Sequence, residues 1–454
     1  MNFDTLKHIY FLGIGGIGMS ALARFFASQG KIISGYDRVR TPLCEELERE
    51  GMTIHYTENI DLLPKEIDLV VYTPAIPKNH AEFVYLQNTN IPILKRSEVL
   101  GLITQNMLGV CVAGTHGKTT IATMIAHLLT QSNVKCNAFL GGISKNYNSN
   151  LILSKTSKIA VIEADEFDRS FLKLHPKIAV ISSTDADHLD IYGTKNAMEQ
   201  SFSEFANLIP ENGLLFQKYG TPDFGVTHNT YHLNDTNADY YTSNLRVENG
   251  VYHFDFVAQN GSWNDMIMTY PGLHNIENAV VAIVIAHLLG ITETEIREGL
   301  KTFEGIRRRF DFHIKTDELV YIDDYAHHPR EITACIESVK NLFPNRKITG
   351  IFQPHLYTRT RDFADDFAKS LSLLNTLILL DIYPARELPI EGITSEMLLE
   401  KCTNKTKILA TKSNLIDILK TQPLDIVLTM GAGDIDQLVN PIIEFLQSKI
   451  KNQK

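Results

Sequence analysis

Cysteine is scarce in this chain: Cys44, Cys111, Cys136, Cys335 and Cys402 are scattered, with no C-x-x-C pair. That argues against a disulfide framework and a thiolate metal site, and it suits a reducing compartment. Positive charge is also short, with 43 Lys and Arg against 53 Asp and Glu, a formal net charge of -10. Without a basic field there is no surface for a nucleic-acid backbone, although small anions need only local cations. No apolar run approaches the length of a membrane span, and the opening Met1-Asn-Phe-Asp-Thr-Leu-Lys-His8 lacks the charged-then-apolar pattern of a secretion signal. A cytoplasmic protein with neither membrane nor nucleic-acid partners is expected. Repeats and low-complexity tracts are missing too. What is present is an ordinary soluble balance, 44% hydrophobic and 21% charged over 454 residues, a length that suits about three domains.

The richest stretch is Ala113-Gly-Thr-His-Gly-Lys-Thr-Thr120, which follows the apolar run Leu108–Val112 and precedes the periodic segment Ile121–Leu129. A glycine turn between strand and helix offers backbone N–H groups and a helix N-terminus to a polyphosphate. Gly114, Thr115, His116, Gly117, Lys118, Thr119 and Thr120 would form that cradle. Lys118 would reach the β/γ-phosphates, and the Thr119 hydroxyl would sit on Mg²⁺. The strict P-loop spacing fails, because Val112 stands where the first glycine belongs. A plain turn would explain the glycines but not the Gly-Lys-Thr-Thr ending.

A second glycine opening comes earlier. The strand His8–Leu12 runs into Gly13-Ile-Gly-Gly-Ile-Gly18, a helix is expected from about Met19 to Ser28, and the strand Lys31–Tyr36 ends at Asp37. This is a Rossmann-type βαβ unit with an acidic residue placed for a ribose. Its spacing does not separate NAD from a UDP-sugar, and an NAD-dependent dehydrogenase would leave Gly117-Lys-Thr-Thr120 unexplained. A third, weaker opening joins the strand Asn345–Phe352 to Gln353-Pro-His-Leu-Tyr-Thr-Arg-Thr-Arg361, with a helix expected over Asp362–Leu371. Between the second and third, residues 216–270 alternate in short stretches that suggest β-hairpins, and a helix is expected over Ile276–Leu289.

Acidic and basic side chains gather after apolar strands. Val161-Ile-Glu-Ala-Asp-Glu-Phe-Asp168 and Asp185-Ala-Asp-His-Leu-Asp190 place carboxylates and a histidine where strand ends converge. Thr119, Glu163 and His188 could then surround one phosphate–metal cluster, with Mg²⁺ (or Mn²⁺) the fitting ion. Asn275 and Asn278 lie one helical turn apart, and either they share a ligand or Asn275 caps the helix. Gly305-Ile-Arg-Arg-Arg-Phe310 could be a solvated charge run or could supply an arginine for transferring phosphoryl charge. In Asp323-Asp-Tyr-Ala-His-His-Pro329, the histidines suit nucleotide contact or helix capping better than a metal.

In order and spacing these motifs resemble the Mur ligases, the ATP-dependent amide-forming enzymes of peptidoglycan synthesis, from the Gly13 loop to Gly431-Ala-Gly-Asp434. The resemblance is greatest to the members that join L-alanine to UDP-N-acetylmuramic acid, by way of an acyl phosphate. A sister branch that attaches a recycled murein tripeptide is the alternative. The resemblance implies three α/β domains. A Rossmann-like one over 1–106 would hold the UDP-sugar at Gly15, Gly16, Gly18, Met19, Ser20 and Asp37. A P-loop ATPase-type mixed sheet with β-hairpins would fill 107–305, and a second Rossmann-like domain over 306–454 would take the amino acid at His355, Arg359 and Arg361. ATP would also meet Asn275, Asn278, Arg309, Asp324 and His328. Lys118, His188 and Arg309 would be catalytic, and Thr119, Glu163 and His188 would hold the metal. The chain would be a monomer or weak homodimer whose substrates are small molecules. Two departures stand out: Leu356 replaces an arginine usual in this branch, and no lysine between Ala197 and Asn207 can form the carbamate of sister ligases. Glu199 or Glu204 would remain for a second metal.

Overall fold

The computed structural model describes residues 3–185, 192–248, 250–385 and 387–452. They form two compact units. The first comprises Met1–Arg246, Tyr252–Tyr270 and Asn275–Glu304, and the second comprises Val247–Val251, Pro271–His274 and Gly305–Lys454.

The first unit holds two sheets. Strands β1 (His8–Leu12), β2 (Ile32–Tyr36), β3 (Thr53–His55), β4 (Leu69–Tyr72) and β5 (Ile93–Lys95) are all parallel, in the order β3-β2-β1-β4-β5. Strands such as β1 and β4 read as unbroken apolar runs because helices cover both faces of a parallel sheet. The winding reverses between β1 and β4, so the crevice at their carboxyl ends is where a ligand belongs. The glycine loop leaves β1 into that crevice and starts the helix Ile17–Ser28.

The second sheet contains β6 (Leu108–Ala113), β7 (Asn137–Ser144), β8 (Ser149–Ile152), β9 (Ile159–Glu163), β10 (Pro176–Ile181), β11 (Leu214–Lys218), β12 (Asn229–Tyr231), β13 (Tyr240–Glu248), β14 (Val251–Ala258) and β15 (Gly261–Met268). Their order is β15-β14-β13-β12-β11-β10-β6-β9-β7-β8, and β14 pairs antiparallel with β15 as the alternating text predicts. One apolar cluster runs from Ile9 on β1 through Phe139 and Ile162 to Leu215, which makes the two sheets a single packed body. The helix Ile17–Ser28 lies in that seam: Arg24 donates to Asn150 at 2.8 Å, and Asn150 donates to Ser20 at 2.9 Å.

The second unit is a six-stranded sheet: β16 (Asp311–Lys315), β17 (Val320–Asp324), β18 (Ile348–Phe352), β19 (Thr376–Leu380), β20 (Thr406–Ala410) and β21 (Ile426–Met430). It runs β16-β17-β21-β18-β19-β20, with only β16 antiparallel to its neighbour. Its two faces carry separate cores, around Phe352 and Phe367 on one side and Tyr321 and Ile442 on the other.

Two helices differ from expectation. The one expected over Asp362–Leu371 is a pair, Tyr357–Asp362 and Ala364–Leu371. Glu387 accepts from Thr358 N (3.0 Å) and so satisfies an early amide of the first piece, while Phe363 leaves helical geometry and packs on the His328 ring at 5.0 Å. The helix expected from Ile276 begins at Leu273, which draws Asn275 into its first turn and ends its candidacy as a cap. No helix among the described residues is long and apolar enough to cross a membrane.

Candidate active site

β6 delivers the Ala113–Thr120 loop to the carboxyl edge of the second sheet. Gly114 has φ +123°, and a Cβ there would strike the Ser182 hydroxyl and lie 2.8 Å from the amides of Ser182 and Ser183. The loop is stapled to the segment after β10. Thr115 N donates to Ser183 O (3.1 Å), His116 N donates to Ser183 Oγ (2.8 Å), and Asp185 N donates to Thr115 Oγ1 (3.1 Å). The His116 ring lies 3.3 Å from the Asp185 carboxylate. Gly117 (φ +81°) caps the helix Lys118–Gln131 with no side-chain hydrogen bond, so the first-turn amides face outward without a resident acceptor from the cap. A Cβ on Gly117 would sit 2.9 Å from Asn278 Oδ1, and Asn278 donates to Asn275 at 3.4 Å. The two amides are thus together and buried, with Asn278 against the loop.

Lys118 points at carboxylates. Its Nζ donates to Gly114 O at 2.8 Å and to Glu166 Oε1 at 2.9 Å, and Glu166 is fully buried. Burial alone would lower the Lys118 pKa, but the charges of Glu166, Asp165 and Glu163 outweigh it and hold the ammonium above its ordinary value. Glu166 is the residue that sequence reasoning passed over; its place in Glu163-Ala-Asp-Glu166 was visible, its contact was not. The same short segment supplies two further pairs, Arg96 with Asp165 (3.6 Å) and Lys95 with Asp168 (3.1 Å). The backbone at the end of this segment takes left-handed conformations at Asp168 and Arg169 (φ 52° and 53°). Glu163 ends β9 beside Val112 and accepts from Gly141 N at 2.9 Å. Thr119 and Thr120 lie buried in the first helical turn. His188 lies outside the described residues. Of the second-metal candidates, Glu199 pairs with Lys195 at 3.3 Å and Glu204 is exposed.

The N-terminal glycine loop opens into the same space. A cleft of about 360 Å³ is lined by Gly16, Gly18 and Met19 on one wall and by Lys118, Glu163 and Asp165 on another. Gly16 caps the helix Ile17–Ser28 without a side chain, leaving its N-terminus for an anion. The Asp37 carboxylate accepts from Gly15 N (2.8 Å) and Val39 N (3.2 Å), so it braces the loop from behind. Ser20 is buried and donates to Ile17 O, a structural engagement.

In the second unit the expected residues cluster at the carboxyl edge of the sheet. Asp324 is buried and accepts from Phe310 N (2.6 Å) and Ala326 N (2.7 Å). Burial raises its pKa to about 6, against the pull of Arg309 and the two amides. Arg309 lies over the Tyr325 ring at 5.1 Å, while Arg308 pairs with the buried Asp323 at 3.0 Å. Arg308 and Arg309 are therefore engaged, while Arg307 stays exposed, as the charge-run alternative had it. His328 caps the helix Pro329–Leu342 together with Glu331, the capping alternative raised for this pair. His355 stacks on Tyr383 at 5.7 Å, and Arg361 is exposed and turned to Asp362 at 2.7 Å. Arg359 lies in the short helix Tyr357–Asp362. Leu356 is buried with φ 70° and ψ 135°, a strained conformation for a side chain of that size. Beside it, Gln353, Tyr383, Lys412 and Asp434 line a crevice of about 400 Å³.

Three family models cover most of the chain: the Mur ligase family catalytic domain over residues 8–107, the Mur ligase middle domain over 112–286, and the Mur ligase glutamate ligase domain over 308–433. The chain belongs to the Mur ligase family. It is 52% identical to a UDP-N-acetylmuramate–L-alanine ligase of Parabacteroides distasonis, covering 99% of this chain and 100% of that one. The crystal structure of a UDP-N-acetylmuramate–alanine ligase from Thermotoga maritima superposes with a TM-score of 0.83 at 26% identity, covering 98% and 100% of the two chains. A murein peptide ligase from Psychrobacter arcticus, 23% identical over 97% and 98%, shares the fold with a TM-score of 0.68.

Proposed function

We propose that this chain is an ATP-dependent ligase that joins L-alanine to UDP-N-acetylmuramic acid in peptidoglycan synthesis. One observation carries the reading: a single cleft has a diphosphate cradle, the N-terminus of the helix Ile17–Ser28, on one wall and the polyphosphate loop with Lys118 on another. A nucleotide-sugar and ATP can therefore meet there, and the full-length relatives named as L-alanine ligases support the choice of substrates. On this reading the chain divides at 1–106, 107–305 and 306–454, for UDP-sugar, ATP and amino acid. It works in the cytoplasm, as a monomer or weak homodimer.

The chemistry needs positioning more than acid–base help. The donor carboxylate is already ionised at neutral pH and attacks the γ-phosphorus, ADP leaves, and an acyl phosphate forms. The L-alanine amine then attacks the acyl carbon, and inorganic phosphate departs from the tetrahedral intermediate. Lys118 exchanges Glu166 for the γ-phosphate, and the amides of residues 114–119 hold the polyphosphate as charge moves. Thr119 and Glu163 offer hard oxygen donors of the kind Mg²⁺ takes while keeping water and phosphate oxygens, and His188 completes the proposed set. When bound, that ion supplies charge neutralisation at the phosphoryl group. Asn278 presses on the loop at Gly117 with Asn275 as its partner, both are assigned to ATP, and Arg309, which pulls on the buried Asp324, is assigned to the nucleotide. His355, Arg359 and Arg361 are assigned to the amino-acid carboxylate, and with Leu356 apolar, Arg359 bears most of that clamp.

The test is phosphate release from ATP and Mg²⁺ with UDP-N-acetylmuramic acid, offering L-alanine, glycine, L-serine and murein tripeptide separately. Release should be strongest with L-alanine and fall about 100-fold or more in Lys118→Ala. Release with tripeptide alone would move the chain to the sister branch, and ATP binding without acceptor-dependent release would make it a nucleotide-binding switch.

A further inference from the structure

Arg96 is a cation of the cleft that no motif singled out. It opens the helix Arg96–Gln105 directly after β5, on the sugar-binding side of the first unit. Its side chain lies along the first turn of the glycine-loop helix: a Cβ on Gly18 would stand 2.5 Å from Nη1 and 3.0 Å from Cδ. The side chain is 22% exposed, and it lines the same cleft as Lys118 and Asp165. Among the described residues its ion-pair partner is Asp165 Oδ2 at 3.6 Å, too long for a hydrogen bond. Asp165 is itself held, since its Oδ1 accepts from Phe167 N at 3.1 Å. The guanidinium thus faces a carboxylate it does not fully engage.

We infer that Arg96 binds the carboxylate of the donor sugar and holds it between the glycine-loop helix and Lys118. This rests on the reading of the chain as a ligase whose donor is a carboxylate-bearing nucleotide-sugar. With the donor diphosphate at the N-terminus of the helix Ile17–Ser28, the reacting carboxylate must extend toward the γ-phosphate beside Lys118. Arg96 stands in that interval, touching Gly18 on one side and paired with Asp165 on the other. A guanidinium presents two parallel N–H groups that match a carboxylate, a geometry an ammonium lacks. Asp165 therefore occupies, in the resting protein, the partner's role that the donor carboxylate takes over. Arg96 would fix the nucleophile without drawing off its charge by proton transfer, because a guanidinium does not deprotonate.

The experiment uses the full chain and the variants Arg96→Lys and Arg96→Ala. Wild-type acceptor-dependent phosphate release is measured first; its absence would refute the ligase reading, and the binding comparison of the two UDP-sugars below would then judge the arginine by itself. Given wild-type activity, donor KM and kcat are measured at saturating ATP and L-alanine. In either case binding is compared for UDP-N-acetylmuramic acid and for UDP-N-acetylglucosamine, which has the diphosphate but no lactyl carboxylate. Donor KM and Kd should rise about 30-fold in Arg96→Ala and about tenfold in Arg96→Lys. UDP-N-acetylglucosamine affinity should stay within about twofold, and ATP-analogue affinity should report an intact fold. Equal losses for both sugars would overturn the inference in favour of a diphosphate contact, and an unchanged donor KM would overturn it outright. If Arg96→Ala does not fold, Arg96→Lys decides by the same comparison.

Discussion

Replacing Glu166 by Gln removes the charge that faces the nucleotide-loop lysine while keeping the shape of the side chain. Glu166 is fully buried and the Lys118 side chain is 13% exposed, so the change leaves a buried ammonium short of its nearest counter-charge. Breaking a buried pair from one side costs about 3–5 kcal/mol. The low end applies here, because Gly114 O still accepts from Lys118 at 2.8 Å and Asp165 and Glu163 still attract it. At about 2 °C per kcal/mol for a large domain, a loss of about 3 kcal/mol lowers the melting temperature by about 6 °C. Nucleotide should reverse part of this. Wild type must give up the Lys118–Glu166 pair when phosphate arrives; the variant gives up nothing, so its analogue affinity should rise several-fold. Thermal melts of both proteins, with and without a non-hydrolysable ATP analogue at about 100 times Kd, where ligand stabilises by about 2.7 kcal/mol, test both halves. A gap of about 6 °C that narrows by about 2 °C at the same analogue concentration is expected, because a several-fold gain in affinity is worth about 1 kcal/mol. A gap that stays constant or widens would refute the idea that Glu166 is a counter-charge given up on binding.

Other perturbations have equally definite outcomes. Gly114→Ala places a methyl against Ser182 at φ +123°, and it should cost about 2 kcal/mol or more in denaturant unfolding and weaken ATP-analogue binding; a neutral result would show the loop to be looser than it stands. Asp324, raised to about 6 from 3.8, favours the fold when protonated. Its contribution is complete below pH 3.8 and is lost as pH rises through about 6. Between pH 8 and pH 5 wild type should gain about 1 kcal/mol that Asp324→Asn does not, and parallel stability curves would contradict this. Chelation of divalent cations should abolish phosphate release, and Glu163→Gln should raise the Mg²⁺ concentration needed for half-maximal rate by about tenfold or more; an unchanged requirement would remove Glu163 from the metal.

Much of the scaffold was legible because local rules agreed with one another. The apolar run at Leu108, the glycines and Lys118 all point to one strand–turn–helix, and that is what forms. Where reading failed, the cause was an interaction distant in sequence. Glu166 looks like one solvated acid among four until folding sets it against Lys118, 48 positions earlier. Arg96 sits in an unremarkable Leu-Lys-Arg-Ser stretch and matters only because Gly18 has no side chain. The break at Phe363 comes where its ring packs on His328, and Leu356 takes a positive φ at the start of the next helix; neither residue type announces such a conformation.

The segment Glu163–Asp168 sets a carboxylate against each of three cations before any ligand arrives: Lys118, Arg96 and Lys95. A cleft built this way is close to electroneutral and offers little to a stray chloride or free phosphate. A ligand enters by exchanging one internal counter-ion for another rather than by releasing ions to bulk water. Ionic strength should then act on it only weakly, and the advantage passes to molecules that carry several negative charges at fixed separation. Discrimination against the abundant small anions of a cell is thus set by the protein's own carboxylates, before any contact with a sugar or a base is made.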